Sequence, residues 1–143
     1  MSDVLRGGPQ YLEAHRNVRR PAIVLDIDNT ALQSYYFGGA ATPPVLAFEQ
    51  AAVRAGYSVL FATGRPASTT GSVAALTKAG YRVDALCKRP STKVKLQVSK
   101  ARCRANWAKS GYTIVAAVGN RSTDFMGGNT GKVYALPNYG FLS

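Results

Sequence analysis

Short apolar runs along the chain alternate with segments in which apolar residues recur every three or four positions. The runs predict strands at 22–25, 57–62, 81–87, 112–118 and 132–136. The periodic segments predict helices near 11–15 and at 45–55, 68–79 and 93–109. Strands that alternate with helices at these lengths form βαβ units. We therefore expect an α/β fold in three layers, with a parallel sheet of about five strands and helices on both faces.

Glycines and prolines mark the ends of the predicted helices. Gly56, Gly80 and Gly111 each stand just before a tyrosine that opens a strand. Glycine takes the left-handed conformation that commonly ends a helix, so we expect it at these three positions. Pro43 and Pro44 suit the first turn of the following helix. No shift in composition marks a boundary, so we expect one domain over residues 1–143, with a lead-in at 1–20.

Charge limits the partners that the chain can have. Its formal net charge is +11, from 18 Lys and Arg against 7 Asp and Glu, while 46% of the residues are apolar. Such a chain is globular rather than disordered. Its charge favours anionic partners, phosphate esters or nucleic acid among them, although a merely soluble basic surface is the alternative. No apolar run approaches the roughly 20 residues that span a bilayer, so we expect no membrane partner. The N-terminus does not resemble a secretory signal, which predicts a cytoplasmic protein, or a secreted one whose leader was removed.

The cysteines and the single histidine exclude several kinds of site. Cys87 and Cys103 lie in unlike contexts without metal-type spacing, and we expect two buried free thiols rather than a disulfide. His15 is the only histidine, which leaves no Ser/His or Cys/His pair for nucleophilic catalysis. We expect it on the surface of the N-terminal helix.

Two carboxylates follow the first predicted strand. Asp26 and Asp28 come directly after its apolar run, and Asn29 and Thr30 follow them. The carboxyl ends of parallel strands border the ligand crevice of such sheets. Two acids this close are costly unless a cation or a proton offsets their repulsion. The alternative is an ordinary turn, in which Asp and Asn are favoured.

Polar groups also follow two other strands. Thr63, Gly64 and Arg65 offer a hydroxyl, exposed backbone N–H groups and a guanidinium, which suit an oxyanion. An ordinary strand-to-helix turn is the alternative. Asn120 and Asp124 offer oxygens for a hard cation, unless they only cap the segment that follows.

Lys100 interrupts an apolar stripe on the helix predicted at 93–109. The other members of the stripe are Leu96, Cys103 and Trp107. A lysine in this position either extends along the stripe to solvent or is held inside for a purpose.

In their order along the chain, these motifs resemble those of the haloacid dehalogenase (HAD) superfamily of phosphotransferases. The most similar branch is subfamily IIIB, which includes class B-type acid phosphatases and plant vegetative storage proteins. The resemblance spans the chain from about residue 10 onward, and its motifs follow successive strands. The matching segments are Asp26–Thr30 (DxDxT), Thr63–Arg65, Lys100 with Arg104, Gly119–Asp124 (GDxxxD in the family) and Leu136–Tyr139.

This resemblance implies a Rossmann-like, HAD-like fold with a minimal cap. Too few residues separate Thr30 from Thr63 for a separate cap domain, so a short flap at 31–43 would take its place. The crevice would then be open. The aromatic residues of the flap would either stack on an aryl or nucleoside leaving group or only pack the flap itself. These residues are Tyr35, Tyr36 and Phe37.

The resemblance also implies a function, namely a Mg²⁺-dependent phosphomonoesterase acting on small phosphate esters. Asp26 would attack phosphorus and form an aspartyl-phosphate, and Asp28 would act as general acid and then base. The phosphate and the substrate would be bound by Thr63, Gly64, Arg65 and Lys100. The metal ligands would be Asp26, Asp28 through its backbone carbonyl, Asn120 and Asp124.

One residue departs from the family pattern and keeps alternatives open. Asn120 stands where the family usually has Asp, and its uncharged amide oxygen should bind Mg²⁺ more weakly. A weakly active or inactive phosphate-binding, storage-type protein is therefore one alternative. A phosphatase acting on nucleotides or nucleic-acid ends is another, motivated by the net charge of +11. We rank it lower because no run of Lys and Arg is interleaved with aromatic residues.

Overall fold

The computed structural model describes residues 3–33 and 39–137. Within them the strands are β1 Pro21–Leu25, β2 Ser58–Pro66, β3 Ala85–Arg89, β4 Thr113–Gly119 and β5 Lys132–Ala135. The helices are α1 Gly8–Ala14, α2 Pro43–Arg54, α3 Ser72–Lys78 and α4 Leu96–Lys109. Neighbouring strands are parallel, in the order β3-β2-β1-β4-β5. The predicted α/β fold with a five-stranded parallel sheet is confirmed.

Helices cover both faces of the sheet, so its central strands are apolar on both sides. Ile23 and Leu25 of β1 belong to one core, with helices α1, α2 and α3. Val24 of the same strand faces the opposite core, which includes Cys103 and Trp107 of α4. The chain crosses from β3 at the edge to β4 on the far side of β1, and this crossover carries α4 to its own face.

The helix ends follow the glycines and prolines as predicted. Gly56, Gly80 and Gly111 have φ angles of 92°, 106° and 105°, in the left-handed region. Pro43 and Pro44 open α2, where a missing N–H costs no helical hydrogen bond.

Several elements begin later than their apolar pattern predicts. Strand β3 begins at Ala85 rather than at residue 81. Tyr81 lies before the strand, and its side chain is buried in the core. Its ring packs edge-on against Phe61, and its hydroxyl donates to the Ala31 carbonyl at 2.7 Å. Helices α3 and α4 likewise begin at Ser72 and Leu96, after turns that occupy the preceding residues.

Helix α1 is the predicted N-terminal helix; it contacts α2 and contributes one buried side chain to the core. Leu12 is fully buried, and its carbonyl accepts a hydrogen bond of 2.6 Å from the Tyr57 hydroxyl. His15 follows α1 directly and is exposed, stacked on Tyr11, so its predicted surface position is confirmed. Over residues 3–33 and 39–137, the helices are too short or too polar to cross a bilayer.

Cys87 and Cys103 form a disulfide, so the prediction of two free thiols is wrong. Cys87 belongs to β3 and Cys103 to α4, and their Cα atoms lie 5.9 Å apart. The packing of α4 against β3 brings them together, and nothing in their local sequence contexts indicates it. The bridge ties the helix that carries Lys100 covalently to the sheet.

Reduction of this disulfide should lower the free energy of unfolding by about 3 kcal/mol, because it closes a loop with a sequence separation of 16. Urea unfolding followed by the fluorescence of Trp107, the single tryptophan, measures the change with and without reductant. The double variant Cys87→Ser/Cys103→Ser should show the same loss and no response to reductant. Equal stability of the oxidised and the verifiably reduced wild type would contradict a stabilising role.

Candidate active site

The carboxyl ends of three strands lie side by side and bring the predicted motifs together. Leu25 of β1 pairs with Phe61 of β2 and with Val118 of β4. Each of these residues is followed by one of the polar motifs. The motif that begins with Asp26 therefore lies between the motifs at the ends of β2 and β4.

The chain turns tightly after β1. Asn29 has a φ of 58°, a left-handed conformation that asparagine adopts more readily than most residues. The backbone N–H of Thr30 donates to the Ile27 carbonyl, and that of Ala31 donates to the Asp26 carbonyl. The turn brings the Thr30 hydroxyl back to donate to Asp26 Oδ2 at 3.2 Å. A turn is thus present, and it directs the two carboxylates toward different partners.

Lys100 joins two carboxylates in the interior. Its Nζ lies 3.0 Å from Asp26 Oδ1 and also donates to Asp124 Oδ1. Lys100 is 1% exposed, Asp26 2% and Asp124 6%. The lysine does not extend to solvent but is enclosed between the carboxylates that follow β1 and β4.

Burial and the charge of Lys100 shift the pKa of Asp26 in opposite directions, and burial and the two carboxylates do the same for the pKa of Lys100. Burial raises the pKa of Asp26 to about 7, assisted by the neighbouring Asp124 and opposed by Lys100. Burial alone would lower the pKa of Lys100, but Asp26 and Asp124 together outweigh it, and the pKa is raised. The centre therefore combines a charged lysine with a carboxyl group that titrates near neutrality.

Asp124 is fixed by the backbone around it. Its Oδ2 accepts hydrogen bonds from the backbone N–H groups of Asn120 and Arg121, both at 3.0 Å. A side chain on Gly119 would collide with this carboxylate, so glycine is required at the end of β4. The carboxylate thus caps a short 3-10 turn at Ser122–Asp124 with one oxygen and binds Lys100 with the other.

Arg104 holds the segment that carries Asp124. Its fully buried guanidinium donates to the carbonyls of Asp124 at 2.7 Å, Gly128 at 3.0 Å and Met126. The sequence places Arg104 with Lys100 in one family motif but assigns it no role in the site. It lies one helical turn after Lys100, so both cations are on the same face of α4. This spacing in the sequence indicates that Arg104 lies beside the site.

Arg65 binds the second carboxylate of the pair. Its Nε donates to Asp28 Oδ2 at 2.9 Å and its Nη2 to Oδ1 at 2.7 Å, in a bidentate ion pair. Nη1 donates to Ser72 at the start of α3, and the Arg65 backbone N–H donates to the Thr63 hydroxyl. Hydrogen bonding to Asp28 raises the pKa of Arg65. Asp26 and Asp28 thus have separate cationic partners.

A crevice of about 710 Å³ opens beside Arg65. It lies between α3 and the base of the segment predicted as a flap, where Leu32 and Ala41 form an antiparallel bridge. Its walls are mainly small and apolar, with Lys78 as a second cation. The predicted pocket residues Tyr35, Tyr36 and Phe37 lie outside the described residues.

The oxygen atoms at this edge suit a hard divalent cation. Within 3–33 and 39–137, no group of three His, Cys, Asp or Glu side chains could hold a metal. Mg²⁺ needs no such group, because it keeps several waters and takes one or two carboxylates together with substrate phosphate. Asp26 and Asp124 supply carboxylates here, and the buried Asn120 supplies an amide oxygen. The chemistry of this donor set fits Mg²⁺.

A parallel sheet with an Asp pair, a buried Lys and a third Asp at its carboxyl edge defines a hydrolase of the HAD class. The sequence model of HAD superfamily subfamily IIIB (acid phosphatase) matches residues 37–142. The chain belongs to this subfamily and is a phosphoric monoester hydrolase, as the resemblance implies. The matched range includes Thr63–Arg65, Lys100 and Asp124 but begins after Asp26 and Asp28.

A solved structure shows the same fold. A class C acid phosphatase from Bacillus anthracis, solved with tungstate bound, is 18% identical and superimposes with a TM-score of 0.64. The alignment covers 97% of this chain and 78% of that chain. At this identity the likeness concerns the fold. Among curated protein sequences there is no match.

The substitution Lys100→Met should destabilise the protein by about 3–5 kcal/mol at pH 8, because it leaves two buried carboxylates without their cation. The pKa of Asp26 is already raised to about 7, so protonation below that pH relieves the repulsion and the loss should shrink at pH 5. Urea unfolding at the two pH values measures it.

Lys109→Met is the matched control, since it removes an exposed lysine from the same helix. A loss for Lys100→Met that matches the control at both pH values would contradict the role of Lys100.

Proposed function

We propose that the protein is a Mg²⁺-dependent phosphomonoesterase that hydrolyses small phosphate esters through an aspartyl-phosphate at Asp26. The observation that carries this proposal is the buried contact of Lys100 with both Asp26 and Asp124. Such a cluster is costly to maintain for stability alone. It suits a reaction in which negative charge builds up on a phosphoryl group.

Asp26 acts as the nucleophile. Thr30 and Lys100 each bind one of its oxygens and so fix the orientation of its carboxylate. The ionised carboxylate attacks phosphorus, forming a bond to one Oδ while the bond to the leaving oxygen breaks. Because Asp26 is 2% exposed, only the phosphoryl end of an ester reaches it.

Asp28 acts as general acid and then as general base. Arg65 occupies both of its oxygens, so the ion pair must release at least one oxygen, and that oxygen must take up a proton from solvent, before Asp28 can protonate the leaving group. The released guanidinium then faces the phosphoryl oxygens, and Asp28 later takes a proton from the attacking water. Arg65 therefore connects the binding of substrate to the activation of Asp28.

Mg²⁺ would be held by Asp26, the backbone carbonyl of Asp28, Asn120 and Asp124. When bound, it offsets the negative charge shared between the phosphate and the carboxylates. The uncharged amide of Asn120 should make its affinity weaker than that of a site with a third carboxylate. Millimolar metal is therefore the appropriate range for assays.

The crevice of about 710 Å³ beside Arg65 holds the leaving group of a small ester in this proposal. Its small apolar walls and its two cations, Arg65 and Lys78, suit a leaving group that carries a further negative charge. Tungstate is a phosphate-like oxyanion, and its presence in the class C acid phosphatase supports phosphate chemistry on this fold.

Asp26→Asn should lower kcat by about a thousandfold or more, because it removes the nucleophile while preserving shape. The measurement is a panel of chromogenic, nucleotide and sugar phosphates, assayed with and without millimolar Mg²⁺. Asp3→Asn is the control for the loss of one carboxylate, because Asp3 is exposed and pairs with Arg6 far from the site motifs in the sequence.

Turnover by Asp26→Asn at the wild-type rate would overturn the assignment. A wild type that hydrolyses none of these esters in millimolar Mg²⁺ would instead favour the phosphate-binding, storage-type alternative motivated by Asn120.

A further inference from the structure

The segment around α4 is strongly cationic. Residues 85–123 contain nine Lys or Arg and no Asp or Glu. Lys100 and Arg104 are buried, while the others lie at the surface or are half-buried. Five of these lie at the end of β3 or in the segments that follow β3 and β4, at the same sheet edge as Asp26: Lys88, Arg89, Lys93, Lys95 and Arg121. The approach to the reaction centre is therefore positively charged on this side.

A cavity of about 140 Å³ lies within this surface, beside the disulfide. Lys88 of β3 and three side chains of α4, Ser99, Arg102 and Asn106, line it, and no carboxylate does. Its side-chain donors are a guanidinium, an amide and a hydroxyl, all from α4. The lining suits an oxyanion.

Ser99 contributes to this cavity a hydroxyl group that makes no hydrogen bond to the described residues. Its side chain is 2% exposed, and its hydroxyl has no hydrogen-bond partner among the described residues. A buried hydroxyl without a partner is costly, and a ligand oxygen in the cavity would supply one. Ser99 precedes Lys100 on α4, so the same helical turn borders both the cavity and the reaction centre.

We propose that this cavity seats an internal phosphate of a single-stranded nucleic acid whose terminal phosphomonoester lies at Asp26. This rests on the proposed function and extends its substrates from small esters to nucleic-acid strands with a terminal phosphate. The cations continue beyond the cavity along the sheet edge, which suits a polyanion rather than one small ion. Because Asp26 is almost fully buried, the terminal phosphate enters while the rest of the strand stays on the cationic surface.

Binding is tested with a short fluorescent single-stranded oligonucleotide that has hydroxyl groups at both ends and cannot turn over. Arg102→Gln should weaken its affinity by at least about fivefold and reduce the salt dependence by about one phosphate contact. Lys109→Gln removes the same charge from the end of α4 and should have a much smaller effect. Ser99→Ala should weaken binding without lowering the unfolding midpoint, since its hydroxyl has no partner in the fold.

Kinetics separate this inference from the proposed function. On an oligonucleotide with a terminal phosphate, Arg102→Gln should raise KM by the same factor and keep kcat, while hydrolysis of a small chromogenic ester stays unchanged. Asp26→Asn should abolish turnover of both substrates yet still bind the hydroxyl-ended oligonucleotide.

Three results would overturn the inference. Equal losses for Arg102→Gln and Lys109→Gln would show that only net charge matters. Absence of oligonucleotide binding at low salt would exclude the ligand class. Displacement of the oligonucleotide from the wild type, but not from Arg102→Gln, by an equal concentration of inorganic phosphate would assign the cavity to a free ion.

Discussion

The buried ammonium of Lys100, shared between Asp26 and Asp124, is the interaction on which the rest of this structure depends. Three ionisable groups that are almost fully enclosed cannot stay together without mutual compensation. The surrounding chain is arranged to hold them. The disulfide ties α4 to β3, Arg104 binds the backbone from Asp124 onward, and glycine at 119 lets the Asp124 carboxylate approach the strand end. Such a cost to stability is typical of functional sites.

In the proposed mechanism, the neighbouring carboxylates of Asp26 and Asp28 have different roles because they have different cationic partners. Asp26 is oriented by Lys100 in a dry setting, where burial raises its pKa to about 7. Asp28 is held at both oxygens by Arg65, which lines the crevice. A nucleophile needs a fixed direction, whereas a general acid must exchange protons with the leaving group and with water. The turn at Asn29 separates the two side chains so that each can meet its own requirement.

The repeating pattern of apolar runs and glycines was sufficient to predict the parallel sheet, since both are properties of local sequence. Lys100 could be singled out because it interrupts an apolar stripe. The Cys87–Cys103 bridge, the pairing of Arg65 with Asp28 and the cavity at Ser99 could not be predicted, because each depends on how distant segments pack. Tyr81 is a further example. The apolar pattern around it in the sequence predicts a strand, but its ring packs against Phe61 in the core before β3 begins. The roles of the site residues stay predictions from chemistry and geometry.

The most direct test of this account is to locate the covalent phosphate. Wild-type protein would be mixed with Mg²⁺ and a good phosphate ester, quenched in acid at millisecond intervals, and digested for mass spectrometry. The account predicts a phosphoryl group on the peptide containing Asp26, on the side chain of that residue, and its absence from Asp26→Asn. A phosphoryl group on any other residue, or turnover without covalent phosphate at any quench time, would contradict it.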